Sequence, residues 1–137
     1  MRDLHGLIEW EQHEVHHGGA VWAGLCMKHS RTAWGLPVQA PSAKAFYEWV
    51  RDHHPQHLHH TDYRHVPGGA IVLDPRLSRW GHAWIATKHN GVGWSSDYRR
   101  HGHIDRVPLH LPAWRHGDTH VFWTDMSRQG RLPVEHR

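Results

Sequence analysis

The sequence predicts an α+β domain in which N-terminal helices pack on a small antiparallel β-sheet. Three observations lead there. Before residue 53 the apolar residues fall in helix-like stretches separated by Gly18-Gly19 and Gly35-Leu36-Pro37. After Val66-Pro67-Gly68-Gly69 they fall in short runs of strand length. Between two of those runs, Asn90-Gly91 is a strong hairpin signal. Helices first and hairpin-linked strands afterwards is the order of a segregated α+β architecture.

The elements follow in turn. Residues 3–17 read as a polar helix with Leu4, Leu7, Ile8, Trp10 and Val15 as its apolar positions, ended by Gly18-Gly19. A second helix starts near Gly24, carries Leu25, Cys26, Met27 and Trp34, and closes at Gly35-Leu36-Pro37. Pro41-Ser42 caps a third helix over residues 43–52, with Phe46, Trp49 and Val50 as its stripe. The histidine-dense stretch 53–65 has no periodicity and is expected to be a loop. Strands are expected over 70–73, 81–87, 92–97, 104–109 and 120–124.

Composition narrows the classes. A chain of 137 residues fits one domain, and its 38% hydrophobic content with nine tryptophans is enough for a core. One cysteine excludes an intramolecular disulfide framework. Residues 1–5 lead into no apolar run of the signal-peptide kind, and no stretch approaches membrane-spanning length. The expectation is a soluble protein made in the cytoplasm, with no membrane insertion. The net charge of +3 is spread along the chain without a basic block, so no nucleic-acid groove is expected.

The chemistry centres on Cys26. A thiol nucleophile needs a tuned pKa, a base for its proton and a group that orients the base. Cys26 falls in the first turn of the second helix, where free backbone N–H groups favour negative sulfur and a developing oxyanion. Gly24 before it permits close approach of a substrate backbone. His82 follows Gly81 at the mouth of a strand, a place suited to acid–base work. A two-residue Asn90-Gly91 turn makes paired residue numbers sum to 181. His82, Trp84, Ser95 and Asp97 then share one face, with Asp97 diagonal to His82. Asp97 is the expected orienting residue, and Ser95 is the alternative third member.

These features resemble the papain-like NlpC/CHAP superfamily of cysteine peptidases and amidases, in the compact form found in phages of GC-rich bacteria. The matching residues are Trp22-Ala23-Gly24-Leu25-Cys26, Arg31, Gly35-Leu36-Pro37, Val66-Pro67-Gly68-Gly69-Ala70, Gly81-His82-Ala83-Trp84-Ile85-Ala86, Gly91 and Trp94-Ser95-Ser96-Asp97, ending near Trp114 and Trp123. The resemblance implies a peptidase/amidase domain over residues 20–126, an N-terminal helical extension over 1–19 and a tail over 127–137. It implies hydrolysis of an amide in peptidoglycan, either in the stem peptide or between sugar and peptide, without a cofactor. Cys26 attacks, His82 carries the proton and Asp97 holds its tautomer. Gly24, Leu25, Trp22 and Trp84 form the oxyanion region and groove. A chain without a signal peptide would reach the wall through a holin, a virion or a secretion machine, with phage virion proteins as further partners.

Two other readings stand beside this one. His13, Glu14 and His17 match H-E-x-x-H, in which two histidines hold zinc and the glutamate activates water. With 19 histidines in the chain such a match arises easily by chance, and Gly18-Gly19 removes the scaffold behind it. The cluster His53, His54, His57, His59, His60 and His65 is a solvated loop, a metal-binding tract or an acid sensor. A non-catalytic virion or tail component keeping a degenerate peptidase fold is the remaining class.

Overall fold

The computed structural model describes residues 1–88, 91–97, 99–109 and 119–135. His89, Asn90 and Trp114 of the sequence reading lie outside them.

Three α-helices precede most of the sheet. α1 (Leu4–His17) is capped by Asp3, whose carboxylate accepts from Gly6 N, and it stops at Gly18. α2 (Cys26–Ala33) begins at the cysteine itself, two residues later than the composition suggests. The reason is Gly24, whose φ of +66° is not helical. α3 (Ala43–His53) is capped by the Ser42 hydroxyl on Ala45 N, as expected from Pro41-Ser42.

The sheet has six strands, every neighbouring pair antiparallel, in the order β1-β6-β2-β3-β4-β5. They are β1 (Leu58–Asp62), β2 (Ile71–Asp74), β3 (His82–Ala86), β4 (Val92–Ser96), β5 (Ile104–Pro108) and β6 (His120–Thr124). A separate small hairpin joins β7 (Met126–Ser127) to β8 (Gly130–Arg131). The architecture is thus α+β with an antiparallel sheet.

Sequence alternation sorts the two sheet faces. Ile71, Leu73, Ala83, Ile85, Trp94 and Ile104 join the helical residues Leu7, Met27, Ala33, Phe46 and Val50, and Trp34 just after α2, in the main core. Val72, Trp84, Ala86, Leu109 and Val121 form a smaller cluster. α1 and the C-terminal segment are built into this body. Leu7 and Leu132 are buried in the main core, and Glu135 N donates to Gly68 O at 2.8 Å.

Two sequence expectations change. Residues 53–65 are not a plain loop, because β1 pairs with β6 along its whole length. Its histidines act there as flat packing groups: His59 stacks on Trp123 and His60 on Phe122, each at 4.1 Å between ring centroids. The β3–β4 register also differs. Ile85 pairs with Trp94 and Ala86 with Gly93, so paired numbers sum to 179. A slip of two residues preserves the face of every side chain. His82 and Ser95 therefore still share a face, with Asp97 level with His82.

Candidate active site

Cys26 and His82 come from different layers and line one cavity of about 620 Å³, together with Gly24, Leu25 and Asp97. The local sequence explains both placements. Gly24 turns with positive φ, so the chain enters α2 with Cys26 at its first residue. Gly81, at φ +72°, starts β3 from a position where a Cβ would sit 3.0 Å from Asp74 O and from Lys44 N. The backbone N–H of Ala83, the residue after His82, faces the Cys26 sulfur. α2 is thereby docked on the strand that carries the histidine.

Burial dominates the electrostatics. It pushes the Cys26 thiol above its ordinary pKa, while the N–H groups of Ala83, Met27 and Cys26 pull it back down and nearby Asp97 raises it further. His82, 8% exposed, is pushed down from 6.5 to about 4. Burial is the main cause and His29 adds to it, with Asp97 opposing. The resting pair is a neutral thiol and a neutral imidazole.

Ser95 holds His82. The distance from His82 Nε2 to Ser95 Oγ is 2.8 Å, and Ser95 is fully buried. The Ser95 hydroxyl donates its single proton to Ser96 O at 3.2 Å. Its oxygen therefore bridges the imidazole and the strand backbone and fixes how the ring sits.

The Asp97 carboxylate is engaged by two backbone amides. Its Oδ2 accepts from Gly24 N at 2.6 Å and its Oδ1 from Gly102 N. β4 ends at Ser96, and Asp97 turns to φ +65°, which takes its side chain out of the strand's alternation. Gly24 and Leu25 line the cavity. Trp22 and Trp84 do not. Trp22 is buried against Trp10 and His29 and donates to Glu14 Oε2 at 3.2 Å. Trp84 is buried beside the His82 ring, 5.3 Å away between centroids. A fully buried indole cannot narrow a groove.

Behind the cavity lies a pair the sequence does not single out. His29 Nε2 meets both Glu11 oxygens, at 2.7 and 3.0 Å, and both residues are fully buried. Burial raises the Glu11 pKa, against the opposing pull of His29. Among 19 histidines His29 has no local signal; only the meeting of α1 and α2 reveals it.

The zinc motif does not form a centre. Glu14 is engaged by Trp22, and α1 ends at His17. Among the described residues no group of three or more His, Cys, Asp or Glu side chains could hold a metal ion. In the histidine cluster, His57 Nδ1 donates to Asp125 Oδ1 at 2.9 Å and His53 stacks on Trp49. Also among the described residues, no helix is long and apolar enough to cross a membrane. No protein-family model, curated protein or solved structure matches the chain.

Proposed function

We propose that this protein is a cysteine-dependent hydrolase that cleaves an amide bond in peptidoglycan, within a papain-like NlpC/CHAP fold. The observation that carries the reading is the joint one at the cavity. Cys26 opens a helix, its sulfur faces the N–H that follows His82, and His82 Nε2 is held by Ser95.

In this mechanism the substrate carbonyl sits over the first turn of α2. The Cys26 thiol gives its proton to His82 Nδ1 as the sulfur attacks, forming the S–C bond and moving the carbonyl electrons onto oxygen. Backbone N–H groups near Cys26 stabilise that oxygen. The imidazolium then protonates the leaving amine, the C–N bond breaks, and a thioester remains. Water, deprotonated by the same imidazole, hydrolyses the thioester and restores the thiol. Ser95 serves as the third member in place of Asp97, and it fixes orientation without adding charge. Delivery to the wall from the cytoplasm, through a holin or on a virion, belongs to the same reading.

The test is mass spectrometry of peptidoglycan fragments after incubation with wild type and with Cys26→Ala. New amine and carboxyl termini that vanish in Cys26→Ala and on thiol alkylation, and that survive EDTA, are expected. Fragments that persist in Cys26→Ala would refute the cysteine mechanism. A complete lack of cleavage by folded wild type would point to a non-catalytic component.

A further inference from the structure

The reading above names a reaction but no feature of the peptide that the site selects. We propose that the cavity beside Cys26 selects peptides with a free carboxylate near the scissile amide, bound by Lys28 and Arg31; this rests on the cysteine-hydrolase reading.

The charge balance of the cavity leads there. Lys28 and Arg31 both line it, three residues apart on α2 and so on one side of the helix. Neither forms an ion pair among the described residues; Arg31 makes a long 3.4 Å bond to Leu36 O. Asp97 is the one carboxylate in the lining, and both of its oxygens already accept backbone N–H groups. Two cations thus face a half-open space that offers them no anion. Lys28 is exposed and Arg31 half-buried, and a carboxylate that reaches both accepts charge-assisted hydrogen bonds.

The position of the charges sets the position of the anion. At ~1.5 Å of rise per residue, Lys28 lies ~3 Å and Arg31 ~7.5 Å beyond Cys26 along the α2 axis. An extended peptide advances ~3.5 Å per residue. A carboxylate at the two cations therefore lies within the same cavity as the carbonyl at Cys26, a few residues along the peptide.

Three exposed apolar side chains share the lining with the two cations. Leu25, Val38 and Trp80 are 38%, 72% and 60% accessible, and they are three of the five most exposed large apolar side chains among the described residues. Arg79 stacks on the Trp80 ring at 4.6 Å, which braces that indole at the rim. A peptide with an acid group toward α2 and aliphatic side chains toward Trp80 and Val38 matches both surfaces.

Binding and cleavage are measured separately. Cys26→Ala is titrated by calorimetry with two synthetic wall stem peptides, identical except that the glutamyl α-carboxylate is free in one and amidated in the other. The free acid is expected to bind about tenfold tighter, the scale of one charged hydrogen bond. Adding Lys28→Ala should bring the ratio close to one, and Lys28→Arg should restore it. Equal affinity for the two peptides, or binding of neither, overturns the proposal. Cleavage is then followed with Cys26 intact. Carboxylate preference without cleavage would defeat the hydrolase reading and leave the anion site standing, whereas cleavage of both peptides at equal rate would defeat the anion site alone.

Discussion

At the scale of single residues, the Ser95 hydroxyl decides how His82 can act. Its oxygen lies 2.8 Å from Nε2 and 3.2 Å from Ser96 O, so it ties the ring to the strand backbone and selects the ring's orientation. Ser95→Ala removes that choice while leaving Cys26 and the cavity walls in place. The expected result is a fall in kcat of about tenfold with KM unchanged, the scale of one buried hydrogen bond. Steady-state kinetics on a wall peptide checks it, and an equal rise in KM would argue against a positioning role. The sequence pairs Cys26 with His82 from local contexts, a glycine-led helix start and a Gly-His strand start, and the structure places both on one cavity. Where the Asp97 carboxylate points depends on where β4 stops. The parity argument remains sound after a slip of two residues, yet a left-handed φ at the next position turns the carboxylate toward Gly24 and Gly102.

At the scale of elements, the site depends on how β3 begins. Gly81 carries a positive φ against the Asp74 carbonyl and the Lys44 amide, so any side chain there displaces the strand start. Gly81→Ala is expected to cost about 1–3 kcal/mol of stability and to lower activity further by shifting His82. Denaturant titration alongside a cleavage assay would read both, and a variant with native stability and native activity would show that the turn is not constraining. The helices and five of the six main strands could be read from caps, glycines and apolar runs. β1 could not. Its His59 and His60 count as polar in any hydropathy pattern, while in the fold they stack as aromatic plates on Trp123 and Phe122. Strand identity there comes from the partner strand, which lies about 60 residues away along the chain.

For the whole molecule, protonation links the site to stability. His82 has a folded pKa of about 4 against an ordinary 6.5, so the unfolded chain takes up its proton first as pH falls. Its contribution is complete above pH 6.5 and is lost through the interval down to about 4. That loss amounts to about 3 kcal/mol. Urea midpoints at pH 7 and pH 4.5 should differ less in His82→Gln than in wild type; an unchanged difference would contradict the assigned shift. The Glu11–His29 pair ties α1 to α2 in the same body. Glu11→Ala leaves His29 buried without its partner and is expected to cost about 3–5 kcal/mol, with Glu11→Gln milder. Thermal melts of the two variants check the order. Neither the pair nor its cost is visible in sequence, because helix patterning gives the face of each residue and not which helix it meets.

The Asp97 carboxylate grips one amide on each of two irregular segments, Gly24 ahead of Cys26 and Gly102 between β4 and β5. Trp22 N completes the tie by donating to Gly102 O at 2.8 Å. Segments without a ladder ordinarily trade their amide protons for solvent deuterium within seconds to minutes, through small local openings. Here the opening of one segment must break the other's anchor, so the two should breathe together. The Gly24 and Gly102 amides are expected to exchange at rates close to each other and far slower than those of neighbouring exposed residues such as Ala23 and His101. In Asp97→Ala both should quicken at once.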